Sequence, residues 1–524
     1  MQHDVLSLDE LGADELKEVE ANGVKLLLAR DGDRVFATGA TCTHKGAPLK
    51  NGTRIGNRVI CPWHHAMFDL ESGFHCEPPG QGCLARFETR IENGRILVEV
   101  PEDTDGHRPE VEVSERRTGG SKVFAIVGTG AAALACAQEL VRRGFDGRIV
   151  MIGKEDAPPY DRTDLSKAYL QGKKGKDDLP LATREALSDL GIERVHGTVA
   201  AIDAAEKMLK IEGSGAPSEL RYDACFAAPG SGSSMLPLDN TDMPNVMTLR
   251  SLKDGEALRQ ASEDEKEIVI IGSGFIGMEA AAALVQRDKT VTVVTPEEAP
   301  FAKKWGEEVA GQIADQHREK GVTLKTGAKV EAIEATDGMA IAVRLEGGER
   351  VQAGLFVLAV GAKPNLEIFG DLAKDGGVSV DGTLKAAEGL WAGGDVASFP
   401  LPGRGYATRI EHWRVAEQHG RHAAGAMLGE AEPFAGIPFF WSAQYGPIHY
   451  VGHAKDFDDI HIEGDLGEGS YTAYYVKDSK VVAGLGRGKA DKTAELHALM
   501  LSQPTPSAAS LKDAGWDPSA LIGR

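Results

Sequence analysis

The sequence lacks the features that would place the protein in a membrane or in an oxidising compartment. No apolar stretch reaches 18 residues, so no segment is predicted to span a bilayer. The N-terminus has no basic segment leading into an apolar one, so it does not resemble a secretory signal. Six cysteines in 524 residues are too few for a disulfide framework. We therefore expect a cytoplasmic protein with no membrane partner.

Positive charge is also scarce. Lysine and arginine number 58 against 79 aspartates and glutamates, which gives a formal net charge of −21. An excess of negative charge repels phosphate backbones, so we do not expect nucleic acid as a partner. The chain is long enough for three to four domains, each with its own core.

Two short Cys/His pairs near the N-terminus are the most informative feature that the sequence does have. A Cys-Thr-His tripeptide at residues 42–44 is followed after sixteen residues by Cys-Pro-Trp-His at residues 61–64. Two thiolates and two imidazoles suit a [2Fe–2S] cluster in which the cysteines hold one iron and the histidines the other. A structural zinc site is the alternative, although this spacing is not the usual one for zinc fingers. The predicted metal ligands are Cys42, His44, Cys61 and His64.

The residues around these pairs, 45–49 and 65–69, strengthen the assignment, and residues 1–103 resemble a Rieske domain. The resemblance implies a small antiparallel β domain. It agrees with short apolar runs separated by Gly and Asn turns at 25–28, 34–37, 58–60 and 96–100. Ala47 and Trp63 stand where high-potential Rieske proteins carry a disulfide, so the resemblance implies a cluster at the lower end of the Rieske potential range.

Two glycine turns follow, each between an apolar strand and an Ala-rich helix. Gly128 and Gly130, with a small Ala133, come after the strand at 123–127, and the pattern recurs after the strand at 268–271. Such turns let a pyrophosphate approach the backbone at a helix N-terminus. The second turn contains Gly272, Gly274 and Gly277. Two turns predict two dinucleotides, one held tightly and one exchanging.

A third motif, Leu390 to Ala397 with Asp395, resembles the segment that holds the ribityl chain and pyrophosphate of FAD. From Lys122 onward the chain resembles the FAD/NAD(P)-dependent ferredoxin reductases of oxygenase systems and the apoptosis-inducing-factor group. The resemblance implies a Lys167–Glu279 pair beside the flavin and the nicotinamide, with Trp413 packing against the same pocket. It also implies cofactor contacts by Arg162 and Gly361. Glu155, just after the strand at 148–152, is placed to accept a hydrogen bond from an adenosine ribose.

The choice of nicotinamide and the route of the electrons depend on residues that are absent. The strand at 291–294 ends at Thr295 with no arginine directly after it, and Glu297 and Glu298 follow, which favours NADH over NADPH. Because of Lys303 and Lys304, NADPH remains an alternative to NADH. The flavin portion has no closely spaced cysteine pair, so a dithiol relay is not expected.

We therefore predict a multidomain chain. It should contain an antiparallel β Rieske domain, two doubly wound α/β nucleotide-binding domains for FAD and NAD(P), and a C-terminal α+β domain. The predicted boundaries are 1–103 for the Rieske domain, 104–120 for a linker, 121–240 and 364–432 for the FAD domain, 241–363 for the NAD(P) domain, and 433–524 for the C-terminal reductase domain.

The expected function is transfer of electrons from NAD(P)H, with NADH favoured, through FAD to the fused [2Fe–2S] cluster. The expected final acceptor is an external protein or oxygenase component. The alternative is a redox-sensing flavoprotein, similar to apoptosis-inducing factor, that acts through partner binding rather than turnover. The resemblance alone suggests a homodimer through the C-terminal domain.

Overall fold

The computed structural model describes residues 1–113, 116–488 and 490–523. The chain begins with a six-stranded antiparallel sheet, whose strand Val24–Asp31, one place in from the edge, is apolar on both faces. Leu26 and Leu28 enter one core and Leu27 the other, because successive side chains of a strand point to opposite faces. In spatial order the strands are Gln2–Ser7, Arg95–Glu99, Arg86–Glu92, Arg34–Gly39, Val24–Asp31 and Leu16–Ala21.

The Cys/His pairs of this N-terminal β domain lie on two loops, one of which belongs to a second antiparallel sheet of four short strands. The loop with residues 61–66 joins its second and third strands, and the loop with residues 40–48 leaves the larger sheet. The four runs predicted as strands are therefore confirmed. The strands of this second sheet are Thr53–Ile55, Arg58–Ile60, Met67–Asp69 and His75–Glu77.

The first α/β domain has a six-stranded sheet that is parallel except for its last strand. Helices Ala131–Arg142 and Trp413–Met427 pack closely together on it. The close approach requires glycine at position 420, since a Cβ there would lie 2.1 Å from the Ala132 carbonyl oxygen. The strands in spatial order are Ile192–His196, Arg148–Gly153, Val123–Val127, Ala224–Ala227, Leu390–Ala392 and Lys385–Ala387.

The second α/β domain repeats this plan with a five-stranded parallel sheet. Its strands in spatial order are Val246–Met247, Leu355–Leu358, Glu267–Ile271, Thr290–Val294 and Thr323–Lys325, and its helices are Leu252–Asp264, Phe275–Val285, Ala302–Trp305 and Glu307–Glu319. A small antiparallel sheet accompanies each α/β domain, with strands Thr198–Asp203, Met208–Glu212 and Glu219–Arg221 in the first and Val330–Thr336, Met339–Leu345 and Arg350–Gln352 in the second.

The C-terminal domain is a five-stranded antiparallel sheet followed by helices Ala490–Ser502 and Ala508–Asp513. Apolar Ile60 and Met67 of the N-terminal domain pack against Ala494 and Ala498 of the first of these helices. The strands in spatial order are Phe439–Ala443, Pro447–Gly452, Lys480–Arg487, Ser470–Lys477 and Asp459–Asp465. None of the helices within the described ranges is long and apolar enough to cross a membrane.

The segment predicted as a linker, 104–120, is described over 104–113 and 116–120, and these parts contact both bodies that it joins; residues 114 and 115 lie outside the described residues. His107–Arg108 pairs with Cys83–Leu84 of the N-terminal domain, and Val111 is buried in the core of the first α/β domain. Arg116 donates to carbonyl oxygens of that domain at 2.9 Å, including that of Gly147.

The remaining short elements are helix Arg184–Asp189 and strands Ser231–Ser233, Ala362–Pro364, Ala373–Lys374, Gly377–Ser379, Ala397–Pro400 and Ala407–Thr408.

Candidate redox site

The two predicted thiolate ligands lie side by side in the N-terminal domain, and both are buried. The Cys42 thiol donates to Cys61, and the backbone amides of Trp63 and His64 donate to the same sulfur. Burial works against ionisation of Cys61, but these donors outweigh it, so the pKa of the Cys61 thiol is lowered. The hydrogen bond to Cys61 and burial raise the pKa of the Cys42 thiol, so the loop amides stabilise negative charge on one sulfur of the pair, that of Cys61.

The two predicted imidazole ligands also meet. Nδ1 of His44 lies 3.1 Å from Nδ1 of His64. Two imidazole nitrogens on one tetrahedral metal ion lie about 3.3 Å apart when each metal–nitrogen bond is about 2.0–2.1 Å. Burial lowers the pKa of His44 to about 3 and that of His64 well below its ordinary value, so both rings stay neutral and able to bind metal.

The four side chains thus form a thiol pair and an imidazole pair. This division fits a two-iron cluster with different ligands on each iron. Within the described ranges, no three His, Cys, Asp or Glu side chains converge on a single ion, as a closed four-ligand zinc site would require. The donor set therefore fits the predicted [2Fe–2S] cluster better than the zinc alternative.

The second ligand loop contains a residue in an unusual conformation. His65 has φ 57°, in the left-handed region that costs a non-glycine residue about 1–2 kcal/mol. Its ring stacks on Phe439 with centroids 3.8 Å apart, and its Nδ1 lies 3.0 Å from Nδ1 of His497. Both partners belong to the C-terminal domain, so that domain helps to fix the loop that contains His64.

A long cleft runs along the first α/β domain from the first glycine turn to the base of the C-terminal sheet. One end is lined by Gly128, Gly130, Glu155 and Arg162, and the other by Arg162, Lys167, Glu279, Asp395 and Trp413. An elongated dinucleotide needs such a continuous groove. Ala133 is buried where its helix packs on the sheet, away from the cleft.

The glycine turns have the backbone that the motif requires. Gly128 has φ 114°, and a Cβ there would lie 2.3 Å from the Ala228 carbonyl oxygen. A Cβ at Gly130 would meet no atom within 4 Å, because that side faces the cleft where a pyrophosphate would pass. In the second turn Gly272 has φ 106°, and Gly274 likewise borders open space.

Charged pairs line both ends of the cleft. Glu155 accepts hydrogen bonds from the Tyr160 hydroxyl at 2.7 Å and from Arg162. The opposite charges of Glu155 and Arg162 offset the cost of partly burying both groups. Asp395 accepts from Arg250 at 2.6 Å and has a side chain only 13% exposed. These carboxylates are therefore ordered before any ligand arrives.

The predicted Lys167–Glu279 pair is present, with Nζ 2.8 Å from the carboxylate. Ser166 and Ser442 donate to the two oxygens of Glu279 at 2.5 and 2.7 Å. The charge and the hydroxyls together satisfy a carboxylate that is almost fully buried. Gly361, the last predicted contact, follows strand Leu355–Leu358, and its carbonyl accepts from the Ser234 amide at 3.0 Å.

Trp441 connects the cleft to the Cys/His pairs, and the sequence did not single it out as a site residue. Its ring lines the cleft together with Lys167 and Trp413. The same ring lies 5.5 Å from the His44 ring and 4.6 Å from the His64 ring, measured between centroids. One indole therefore separates the predicted metal ligands from the predicted flavin pocket.

A family model described as pyridine nucleotide-disulphide oxidoreductase matches residues 122–420, and a Rieske [2Fe-2S] domain model matches residues 2–88. The chain belongs to the pyridine nucleotide-disulphide oxidoreductase family. Its first domain is a Rieske domain, so the predicted family resemblance is confirmed. The family uses FAD and NAD(P)H, and the Rieske domain holds a [2Fe–2S] cluster. We call the first α/β domain the flavin domain from here on.

Several known proteins are similar over most of their length. Apoptosis-inducing factor 3 of Mus musculus is 31% identical over 494 residues, which cover 91% of this chain and 80% of the relative. Rhodocoxin reductase of Rhodococcus erythropolis is 30% identical over 356 residues, which cover 67% of this chain and 83% of the relative. The covalent putidaredoxin reductase–putidaredoxin complex matches with a TM-score of 0.70 at 27% identity, covering 74% of this chain and 94% of that chain.

An ion-pair cluster joins the Rieske ligand loop to the flavin domain. Lys45, next to His44, lies 3.1 Å from Asp161 and 2.9 Å from Asp164. Asp161 caps the short helical turn Arg162–Asp164, whose first residue lines the cleft. The loop that holds a cluster ligand is thereby attached to the segment that contacts the flavin pocket.

Proposed function

We propose that the protein is an NADH-dependent reductase that passes electrons through FAD to its own Rieske cluster and then to an external acceptor. The position of Trp441 between the two histidines and the flavin cleft is the observation that carries this proposal. Relatives named as reductases of ferredoxins and rhodocoxin support an acceptor that is a redox protein or an oxygenase component.

The division of labour follows from the chemistry of the groups. FAD would take two electrons from NADH and release them singly, and a [2Fe–2S] cluster carries one electron at a time. Cys42 and Cys61 would hold one iron of that cluster, and His44 and His64 the other. The protein would contribute by holding the two centres close together on either side of Trp441.

The residues of the cleft would position the flavin and the nicotinamide. Lys167, fixed by Glu279 and by the Thr163 carbonyl, presents one ammonium group to the pocket. Asp395 and Glu155 would accept hydrogen bonds from the hydroxyls of the FAD ribityl and ribose groups. Trp413 would pack against the flavin. All four side chains line the cleft, which supports these roles.

The preference for NADH rests on the end of strand Thr290–Val294. Thr295 is buried and its hydroxyl lies 2.8 Å from that of Ser273 in the second glycine turn. The carboxylates of Glu297 and Glu298 follow, and a 2′-phosphate there would meet negative charge. Titration of the purified protein with both nucleotides tests the preference, and tighter binding of NADPH would contradict it.

The variant Cys61→Ser tests the order of electron transfer. It should abolish the cluster's paramagnetic signal and the reduction of a protein acceptor, while NADH-dependent reduction of ferricyanide continues through the flavin. Cys76→Ser, in the same domain and outside the ligand set, is the matched control and should retain both activities. Loss of both activities in Cys61→Ser while FAD remains bound would show that the proposed order is wrong.

The redox-sensing alternative has one observation in its favour, namely the similarity to apoptosis-inducing factor 3 over 91% of the chain. It predicts slow, stoichiometric reduction of the flavin together with a change in oligomeric state. Repeated turnover of NADH with an artificial acceptor would decide for the reductase.

A further inference from the structure

Helix Trp413–Met427 presents one polar face to the Rieske domain. Arg414, Gln418 and Arg421 are spaced four and three residues apart, so their side chains lie on the same side of the helix. All three reach the strand His75–Glu77 of the Rieske domain or the residue that follows it. We call these three side chains the docking face.

Arg414 is the most buried member of the docking face, with no exposed side-chain surface. Its Nε donates to the Pro78 carbonyl at 2.7 Å, and its Nη1 donates to the Ile437 carbonyl at 3.0 Å. Its Nη2 lies 3.3 Å from the Glu77 carboxylate and 3.4 Å from the His65 carbonyl oxygen. One guanidinium therefore holds three separate segments of backbone.

The positions of these segments give Arg414 its importance. His65 directly follows the cluster ligand His64, Ile437 lies four residues before Trp441, and Arg414 itself follows Trp413. The contacts of Arg414 therefore join the helix that begins at Trp413 to the backbone directly after a cluster ligand and to the segment that leads into strand Phe439–Ala443, which contains Trp441.

The other two members add contacts farther along the same strand. Gln418 donates to Glu77 at 2.7 Å, and Arg421 donates to the His75 carbonyl at 2.8 Å. Arg421 also donates to Glu110, in the segment between the two domains, at 2.8 Å. The charge of Arg421 is among the causes that lower the pKa of Glu110 to about 2, against the effect of burial.

We propose that Arg414 is a positioning residue for electron transfer between the flavin and the Rieske cluster, and that the docking face keeps the two centres in one fixed arrangement. This inference rests on the proposed function. Replacing Arg414 alone would take a donor away from three carbonyls and a cation away from Glu77, so this residue also contributes to stability. A guanidinium presents its N–H donors in a rigid planar fork, whereas the three donors of a lysine ammonium rotate. The fork therefore sets the directions in which the three segments are held, in addition to stabilising the interface.

The test compares Arg414→Met with the wild-type holoprotein in anaerobic stopped-flow mixing with NADH. Flavin reduction should stay within about twofold of wild type, and cluster reduction should slow by about tenfold or more, because small misplacements have large effects on rate. Hydrogen exchange of the His75–Glu77 amides, which does not depend on turnover, should become faster. Arg148→Met, an exposed arginine of the same domain, is the matched control and should change neither rate.

Cluster reduction at the wild-type rate in a folded Arg414→Met protein would overturn the inference. Should that variant fail to fold, Arg414→Lys carries the test, since lysine keeps the charge but loses the fork. It should slow cluster reduction by at least about threefold with flavin reduction unchanged, and an unchanged cluster rate would equally overturn the inference. A wild-type cluster that NADH never reduces would instead contradict the proposed function, so the two failures are distinguishable.

Discussion

The turns at 128–133 and 272–277 start from the same backbone geometry and end in different surroundings. Gly128 and Gly272 both have positive φ, and a Cβ on either would lie 2.3 Å from a carbonyl oxygen of the neighbouring strand end. At the last position, however, the first turn has Ala133 and the second has Gly277, where a Cβ would lie 2.3 Å from the Gly272 carbonyl oxygen. The second turn is therefore the tighter one.

The surroundings differ more than the turns do. The cleft of the first turn continues between side chains of both α/β domains and of the C-terminal sheet, including Glu279 and Trp441. Beside the second turn, Ser273 and Thr295 bond to each other within their own domain. The comparison teaches that equal phosphate-binding backbones do not imply equal retention. We expect the first nucleotide to be kept and the second to exchange.

The largest expected effect comes from Gly128→Ala. The added methyl group overlaps a carbonyl oxygen and strains a residue at φ 114°, so the purified protein should lose most of its FAD and all NADH-dependent activity. Visible absorbance after gel filtration measures the flavin. Gly311→Ala, in helix Glu307–Glu319 with open space around it, is the control and should keep full flavin. A yellow, active Gly128→Ala protein would break the comparison.

Lys167→Met should come next, because Lys167 pairs with Glu279 of the helix that follows the second turn. The change leaves a nearly buried carboxylate without its cation, at a cost of about 3–5 kcal/mol in stability. FAD should remain bound, and its reduction by NADH should slow by about tenfold or more. Lys173→Met, an exposed lysine of the same segment, should leave the rate as it is. Stopped-flow traces that superimpose for all three proteins would remove the pair from the mechanism.

Gly277→Ala should have a more limited effect that reverses the pattern of Gly128→Ala. Flavin content should be normal, while the Kd for NADH should rise by about tenfold, since the methyl group distorts only the second turn. Anaerobic titration of a redox-inactive nucleotide analogue measures this. Loss of FAD in this variant would mean that the two turns are not independent.

Ala133→Gly should have the smallest effect. The change removes one methyl group from a helix that is packed on the sheet, and glycine in a helix costs about 0.5–1 kcal/mol relative to alanine. The midpoint of thermal unfolding should fall by a few degrees, with both cofactors bound as before. A larger loss, or loss of FAD, would show that the first turn is as intolerant as the second.

Local motifs made much of this site predictable. The ligands lie within two short loops and the glycines within two turns, so spacing alone identifies them. The Lys167–Glu279 pair joins residues 112 positions apart, and only the family resemblance pointed to it. Trp441 and Arg414 could not be found in this way. A lone tryptophan or arginine carries no spacing signal, and the importance of each comes from partners on another domain.

The segment 104–120 shows the same limit. Its polar composition with Gly and Pro predicts a connection between domains, but composition says nothing about docking. The pairing of His107–Arg108 with a strand of the Rieske domain depends on register, and the burial of Val111 depends on a core assembled from distant parts of the chain.

The anchored connection between the Rieske and flavin domains has a kinetic consequence. A separate ferredoxin must collide with its reductase, so the rate per reductase falls in proportion when both are diluted. Here the two modules share one chain and remain in contact, so their mutual concentration is set by the molecule itself. Transfer between them should be first order, and a thousandfold dilution should leave its half-time unaltered.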